Sequence, residues 1–402
     1  MPARNGAPAR SRLQPDALRV RLVVPGNVHH NSGGNVYNAA LARELAALGV
    51  DVETCPVDGD WPVGSAGDRR RLGALLCDGD GDGRDGTGRT VTVVDGLLAC
   101  GAPEELAAAA AAGRPAWILL HMPLDDVAHD ARLERRALRE AAGVICTSTS
   151  AAAGIRARHG MDGLRVALPG TDTAALASGS EPPHLIAVAA LLPNKDQSTL
   201  LAALSALQDL PWTASLIGSD TADPAYAAVL RGTMQRLGLQ NRVRIPGELR
   251  GPALEAEWAA ADLSLLISQA ETYGLVVTES IARGVPVVVR AGTGAVEALA
   301  AGTPDPRPAP DHAAVLPGAA VALSADPAPL TDVLRRWLSE PALRARWRAA
   351  AVDARDRLPG WEATARTVLE TLDPVRPTGL PPVGRPEKAA AEDSPAAQAG
   401  GQ

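Results

Sequence analysis

An alternation of short apolar runs with longer amphipathic stretches runs through this chain twice. Residues 19–25 (RVRLVVP), 90–95, 117–120 and 144–147 read as strands, and 36–48 reads as a helix ending at Gly49. The series then restarts. Strands at 185–190, 213–218, 242–245, 263–267 and 285–289 interleave with helices at 197–207, 225–237 and 276–283. Runs this short and this apolar suit parallel strands covered by helices on both faces. Two doubly wound α/β units are therefore expected, and 402 residues leave room for a core in each. The join is expected in the Pro/Gly/Ser-rich stretch 169–183, where the period breaks. A ligand would sit at the carboxyl ends of both sets of strands, in the cleft between them.

Composition narrows the classes. A net charge of −7 argues against a nucleic-acid partner, which would need a basic face. Cys55, Cys77, Cys100 and Cys146 lie far apart, with no metal-ligand spacing, so reduced thiols in a cytoplasmic setting are expected. Arg4, Arg10 and Arg12 have no apolar run behind them and do not read as a signal peptide. No stretch approaches the ~20 apolar residues of a membrane span, which leaves only peripheral membrane contact open. The segment 78–88 (DGDGDGRDGTG) opens like a calcium loop. The position where such a loop needs a bidentate carboxylate holds Arg89, so a surface loop is expected.

Lysine is used only at Lys195 and Lys388, against 37 arginines. Lys195 lies in a loop just after a strand, and its compact ammonium suits a phosphate; the plain alternative is a chance surface lysine. A second cluster is SQAETYGLVVTE at 268–279. It leaves a strand and opens a helix, so the amides of Tyr273, Gly274, Leu275 and Val276 are expected at the helix's positive end, where an anion binds well. Gly274 would keep that approach free of a side chain. Glu271 in the loop and Glu279 inside the helix would bracket the anion and could accept hydrogen bonds from vicinal hydroxyls. The alternative is a capping Glu271 and a solvent-facing Glu279. His121 closes the apolar strand 117–120, where a doubly wound domain presents side chains to its cleft. A structural histidine hydrogen-bonded at a strand end is the other reading.

The E-x7-E run and the following SIARGVPVVV at 280–289 resemble the signature of the family 4 glycosyltransferases. The segment 186–201 (IAVAALLPNKDQSTLL) resembles that family's strand, loop and helix carrying the donor-phosphate lysine, and NSGGN at 31–35 resembles its glycine-rich loop. Together the likenesses run from about Arg19 to Leu372. They imply the GT-B fold, two Rossmann-like doubly wound domains facing each other across a cleft. They also imply a retaining transfer of sugar from a UDP- or GDP-linked donor to an acceptor hydroxyl. By resemblance Glu271 contacts the sugar hydroxyls, Glu279 the ribose and Lys195 the departing diphosphate. Gly33 and Gly34 bring backbone to the phosphates, His121 lies near the reacting sugar, and the base meets backbone near 246–249. One departure is Ala190, which stands where the family usually has an arginine sharing the diphosphate.

The domains expected are an acceptor-side domain over 19–172 and a nucleotide-sugar domain over 173–358. A crossover helix over 359–373 would return to the first domain, with Trp361 as its anchor or as a plain core tryptophan. Disordered ends are expected at 1–18 and 374–402. His29 and His30 could meet the acceptor, and Asp125 and Asp126 read as a helix cap. No metal site stands beside the donor motifs, no cofactor is expected, and turnover without metal is expected. Two other classes stay open. One is a nucleotide-binding oxidoreductase, weakened because no GxGxxG follows the first strand. The other is a GT-B binding protein with a decayed active site, motivated by Ala190.

Overall fold

The computed structural model describes residues 18–27, 32–78, 89–124, 128–304 and 315–373. The strands are β1 (Arg19–Pro25), β2 (Asp51–Val57), β3 (Thr90–Asp95), β4 (Trp117–Leu120), β5 (Gly143–Cys146) and β6 (Arg165–Val166), then β7 (His184–Val188), β8 (Thr213–Ile217), β9 (Val243–Gly247), β10 (Leu263–Leu266), β11 (Val287–Arg290) and β12 (Gly318–Val321). They form two all-parallel six-stranded sheets, ordered β2-β1-β3-β4-β5-β6 and β12-β11-β10-β7-β8-β9. Every residue of β10 (LSLL) and β11 (VVVR) is buried, as expected for strands covered on both faces.

Three strands escaped the reading of apolar runs, and each is an edge strand or next to one. The strand β2 (DVETCPV) is mostly solvated and carries Pro56, which an edge tolerates because a missing N–H breaks no outer ladder. The strand β6 has two residues, and β12 is GAAV, too small-chained to register as an apolar run. The strand expected at 285–289 instead begins after Pro286 and runs on to include Arg290.

The helix Trp361–Leu372 packs away from the second sheet and joins the core of the first domain. Trp361 stands edge-on to Tyr37, with ring centroids 5.5 Å apart, and Ala365, Val368, Leu369 and Leu372 bury beside Leu41 and Leu45. Thr364 donates to the Leu168 carbonyl at 2.7 Å, and the Thr171 amide donates to that of Pro359 at 2.9 Å. The segments cross so closely that a Cβ on Gly170 would lie 2.2 Å from the Trp361 nitrogen. All four cysteines are free thiols, Cys100 and Cys146 within the core. No helix among the described residues is long and apolar enough to cross a membrane.

Because the Trp361 side chain fills the space between the returning helix and Tyr37, Trp361→Ala should cost about 3 kcal/mol. Urea unfolding followed by far-UV circular dichroism checks this; a loss under about 1 kcal/mol would mean the helix is only loosely docked.

Candidate active site

In the second sheet β7 and β10 lie side by side, but the chain leaves them in opposite directions. Their carboxyl ends therefore open a crevice, the switch point of a doubly wound sheet. Beyond β7 the chain makes a tight turn over Pro193–Lys195. It reverses at Asp196 in a left-handed conformation (φ 56°) and enters the helix Gln197–Ser205. Beyond β10 it loops to the helix Leu275–Ala282. The loops are tied by the Gln269 amide, which donates to the Asn194 carbonyl at 2.8 Å. Across them Lys195 Nζ donates to Glu271 Oε1 at 2.6 Å. These side chains are 22% and 14% exposed, so the pair is largely withdrawn from water yet open to the crevice.

No side chain caps the start of the helix Leu275–Ala282, which leaves its first amides to another acceptor. Gly274 is needed here for a reason other than ligand approach. Its φ is 90°, and a Cβ would point into the core, 2.8 Å from Leu266 Cδ2. Tyr273 is likewise a core residue. Its ring is buried, its hydroxyl has no partner, and burial pushes the phenol up. Tyr273 and Gly274 can therefore offer only backbone. Glu279 lies one turn into the helix with no hydrogen bond or ion pair to its carboxylate among the described residues. Burial raises its pKa, Asp172 and Glu255 add to the rise, and Arg283 opposes it.

In the first domain His121 follows β4 directly. Its Nε2 is 2.9 Å from Asn38 Oδ1, and Asn38 Nδ2 donates to Asp95 Oδ2 at 2.6 Å. Asp95 ends β3, and its other oxygen accepts the Leu97 amide at 2.8 Å. Burial alone would raise the Asp95 carboxyl, but His121, the Leu97 amide and Asn38 together hold it below its usual range. Nε2 thus faces Asn38 Oδ1 as a donor, with Asp95 Oδ2 3.4 Å away, and Nδ1 makes no hydrogen bond among the described residues. Asn38 and Asp95 were not singled out in the sequence. A carboxylate closing the apolar run TVTVVD is the signal that could have found the second.

Gly33 and Gly34 open the helix Gly33–Ala47, capped by Ser32. A Cβ on Gly34 would come 3.2 Å from the His121 ring, and one on Gly33 would come 3.5 Å from Leu275. Leu275 packs against the apolar clusters of both domains. Beside it Glu297 accepts the Thr149 and Ser150 amides at 3.2 Å each, so a carboxylate of the second domain meets the start of the helix Thr149–His159 in the first. His29, His30, Asn31, Asp125, Asp126 and 79–88 of the loop discussed above lie outside the described residues.

Known proteins carry the same arrangement of two sheets. A sucrose-phosphate synthase from Thermosynechococcus elongatus superposes with a TM-score of 0.66 at 20% identity, covering 88% of this chain and 98% of its own. The Anabaena protein HepE in complex with UDP-glucose gives 0.67 at 18%, covering 89% and 100%. Both are GT-B structures, and likeness at this identity speaks for the fold. In sequence, residues 171–353 match the family described as glycosyl transferases group 1. A D-inositol 3-phosphate glycosyltransferase of Thermomonospora curvata is 33% identical over 142 residues, 35% of this chain and 30% of that relative's length. The second half of the chain is thus similar to the glycosyl transferases group 1, on a two-sheet fold shared with GT-B glycosyltransferases. Ala190, where the sequence resemblance leads one to expect an arginine, accepts Gln197 Nε2 on its carbonyl at 2.9 Å.

An arginine does stand near the crevice, on another strand. Arg290 ends β11 and is buried. Its Nε donates to the Ile267 carbonyl at 2.8 Å, Nη1 to that of Leu323 at 2.9 Å, and Nη2 to Asp196. In the sequence it follows an apolar run (VVV) and reads as the residue after a strand rather than as part of a site.

The raised pKa of Glu279 has a stability consequence. A carboxyl whose folded pKa is raised binds its proton more tightly in the folded state, so its contribution is greatest below the unfolded pKa of about 4.3 and is lost as pH rises through the folded value. At neutral pH its ionisation therefore costs stability. Glu279→Gln should raise Tm at pH 7 and leave it unchanged near pH 4 by differential scanning calorimetry; a lower Tm at pH 7 would contradict this.

Proposed function

We propose that this protein transfers a sugar from a nucleotide diphosphate donor, UDP- or GDP-linked, to an acceptor hydroxyl with retention at the anomeric carbon. The observation that carries this reading is the Lys195–Glu271 contact at the switch point, beside an uncapped helix start. A cation, free amides and a carboxylate within one crevice match the three parts of such a donor: diphosphate, leaving-group charge and sugar hydroxyls. On this reading Lys195 and the amides of Tyr273, Gly274, Leu275 and Val276 take the charge that grows on the diphosphate as its bond to the anomeric carbon breaks. Glu271 accepts from the sugar hydroxyls and Glu279 from the ribose. Gly33 and Gly34 offer backbone from the opposite wall. His121, oriented through Asn38 and Asp95, faces the sugar with Nδ1 free to accept a hydroxyl proton. The leaving group's charge is met by protein groups, so turnover should persist in EDTA.

The Lys195–Glu271 pair also makes both charges tolerable in the crevice. Each charge neutralises the other in a partly dehydrated crevice, where an unpaired charge would be costly. An arriving diphosphate takes over the ammonium, and the released carboxylate meets the hydroxyls of the same ligand. The complex of the Anabaena neighbour with UDP-glucose supports UDP-glucose as the first donor to test. The name of the curated relative makes D-inositol 3-phosphate a first acceptor to include in the screen.

Lys195→Ala and Glu271→Ala should each lower sugar release or transfer from the preferred nucleotide sugar by about 10²–10³ in kcat, the scale of losing one preorganised charge contact. Turnover is measured by coupled release of UDP or GDP. Near-normal rates in both variants would sink the assignment.

A further inference from the structure

Asp196 is the one non-glycine residue with positive φ among the described residues, and it immediately follows Lys195. Its side chain does not cap the helix Gln197–Ser205 through a backbone amide. Instead one oxygen accepts the Thr199 hydroxyl at 2.8 Å and the other is held by Arg290. Both members of this ion pair are nearly buried, with side chains 11% and 13% exposed. Arg290 is also bonded to the carbonyls of Ile267, on the way from β10 to the Glu271 loop, and Leu323, just beyond β12. One guanidinium thus joins the ends of three strands and the reversal that aims Lys195.

We infer that Arg290 and Asp196 are positioning residues for the donor diphosphate: the pair holds the left-handed reversal, and the reversal fixes where the Lys195 ammonium stands. This rests on the donor reading above. Three of the five N–H donors of the guanidinium are bonded within the fold and the side chain is only 11% exposed, so it acts through Lys195 rather than on the ligand. With alanine at position 190 the diphosphate's charge falls to Lys195, and the direction of that ammonium then matters more than where a second cation shares the load. A residue with φ near 56° relaxes readily to negative φ when its side chain is released. That relaxation would swing Lys195 away from Glu271 and the helix start.

The test compares UDP with uridine by isothermal titration calorimetry on the full chain, because uridine lacks the diphosphate but presents the same base and ribose. Arg290→Met should weaken UDP by about tenfold or more, the scale of a charge-assisted hydrogen bond, and leave uridine within about twofold. In a Lys195→Ala background the same change should add little, since the lysine it acts through is gone. Asp196→Ala, which removes the ion pair but keeps a Cβ that disfavours positive φ, should reproduce the UDP-selective loss and guards against misfolding of the first variant. Equal UDP-to-uridine ratios in wild type, Arg290→Met and Asp196→Ala would overturn the positioning role. So would parallel losses of both ligands, or a full further loss in the Lys195→Ala background. If the unaltered chain binds neither UDP nor GDP, the donor reading falls and this inference falls with it.

Discussion

The candidate site hangs on the opposite exits of the chain from β7 and β10. Because neighbouring parallel strands hand their chains to opposite sides, nothing packs between their carboxyl ends, and the two loops there face one another across a crevice. Lys195 comes from one loop and Glu271 from the other, 76 residues later in sequence. Neither loop could present a paired, half-buried charge alone. The fold withdraws both side chains from water, and the pairing makes their charges tolerable there.

The opposite wall is built by the same logic with different groups. In the first domain the ends of β3 and β4 supply Asp95 and His121, and Asn38 from the helix Gly33–Ala47 bridges them. The two walls meet through small, specific contacts. Leu275 packs into both domains, Glu297 binds the start of a first-domain helix, and the final helix returns to the first core beside Gly170. The carboxylate on two backbone amides is a polar contact that can open and reform, whereas the returning helix with Trp361 is buried apolar surface.

How far each feature could be read in the chain follows from whether its signal is local. The central strands announced themselves because burial on both faces demands a continuous apolar run, and β10 and β11 are of this kind. Edge strands β2, β6 and β12 carry no such demand and stayed hidden. Lys195 was legible through its rarity, and Glu271 and Glu279 through their spacing around a helix start. Gly274 was singled out for an open approach, and its missing side chain also spares the core while its φ makes the turn. Arg290, Asp196, Asn38 and Asp95 were passed over because their partners lie 57 to 94 positions away along the chain.

What the sequence by itself determined is the pattern of elements and the chemical types at their ends. Apolar runs of strand length separated by helices leave little freedom of class, and a family likeness follows from the residues at those ends. The tertiary structure alone decided which ends meet. It paired Lys195 with Glu271, set Arg290 under Asp196, and oriented His121 through Asn38 and Asp95. The physical reason is that hydrogen bonds and ion pairs act over a few ångströms in space, and only the winding of the two sheets brings residues distant in the chain to that range.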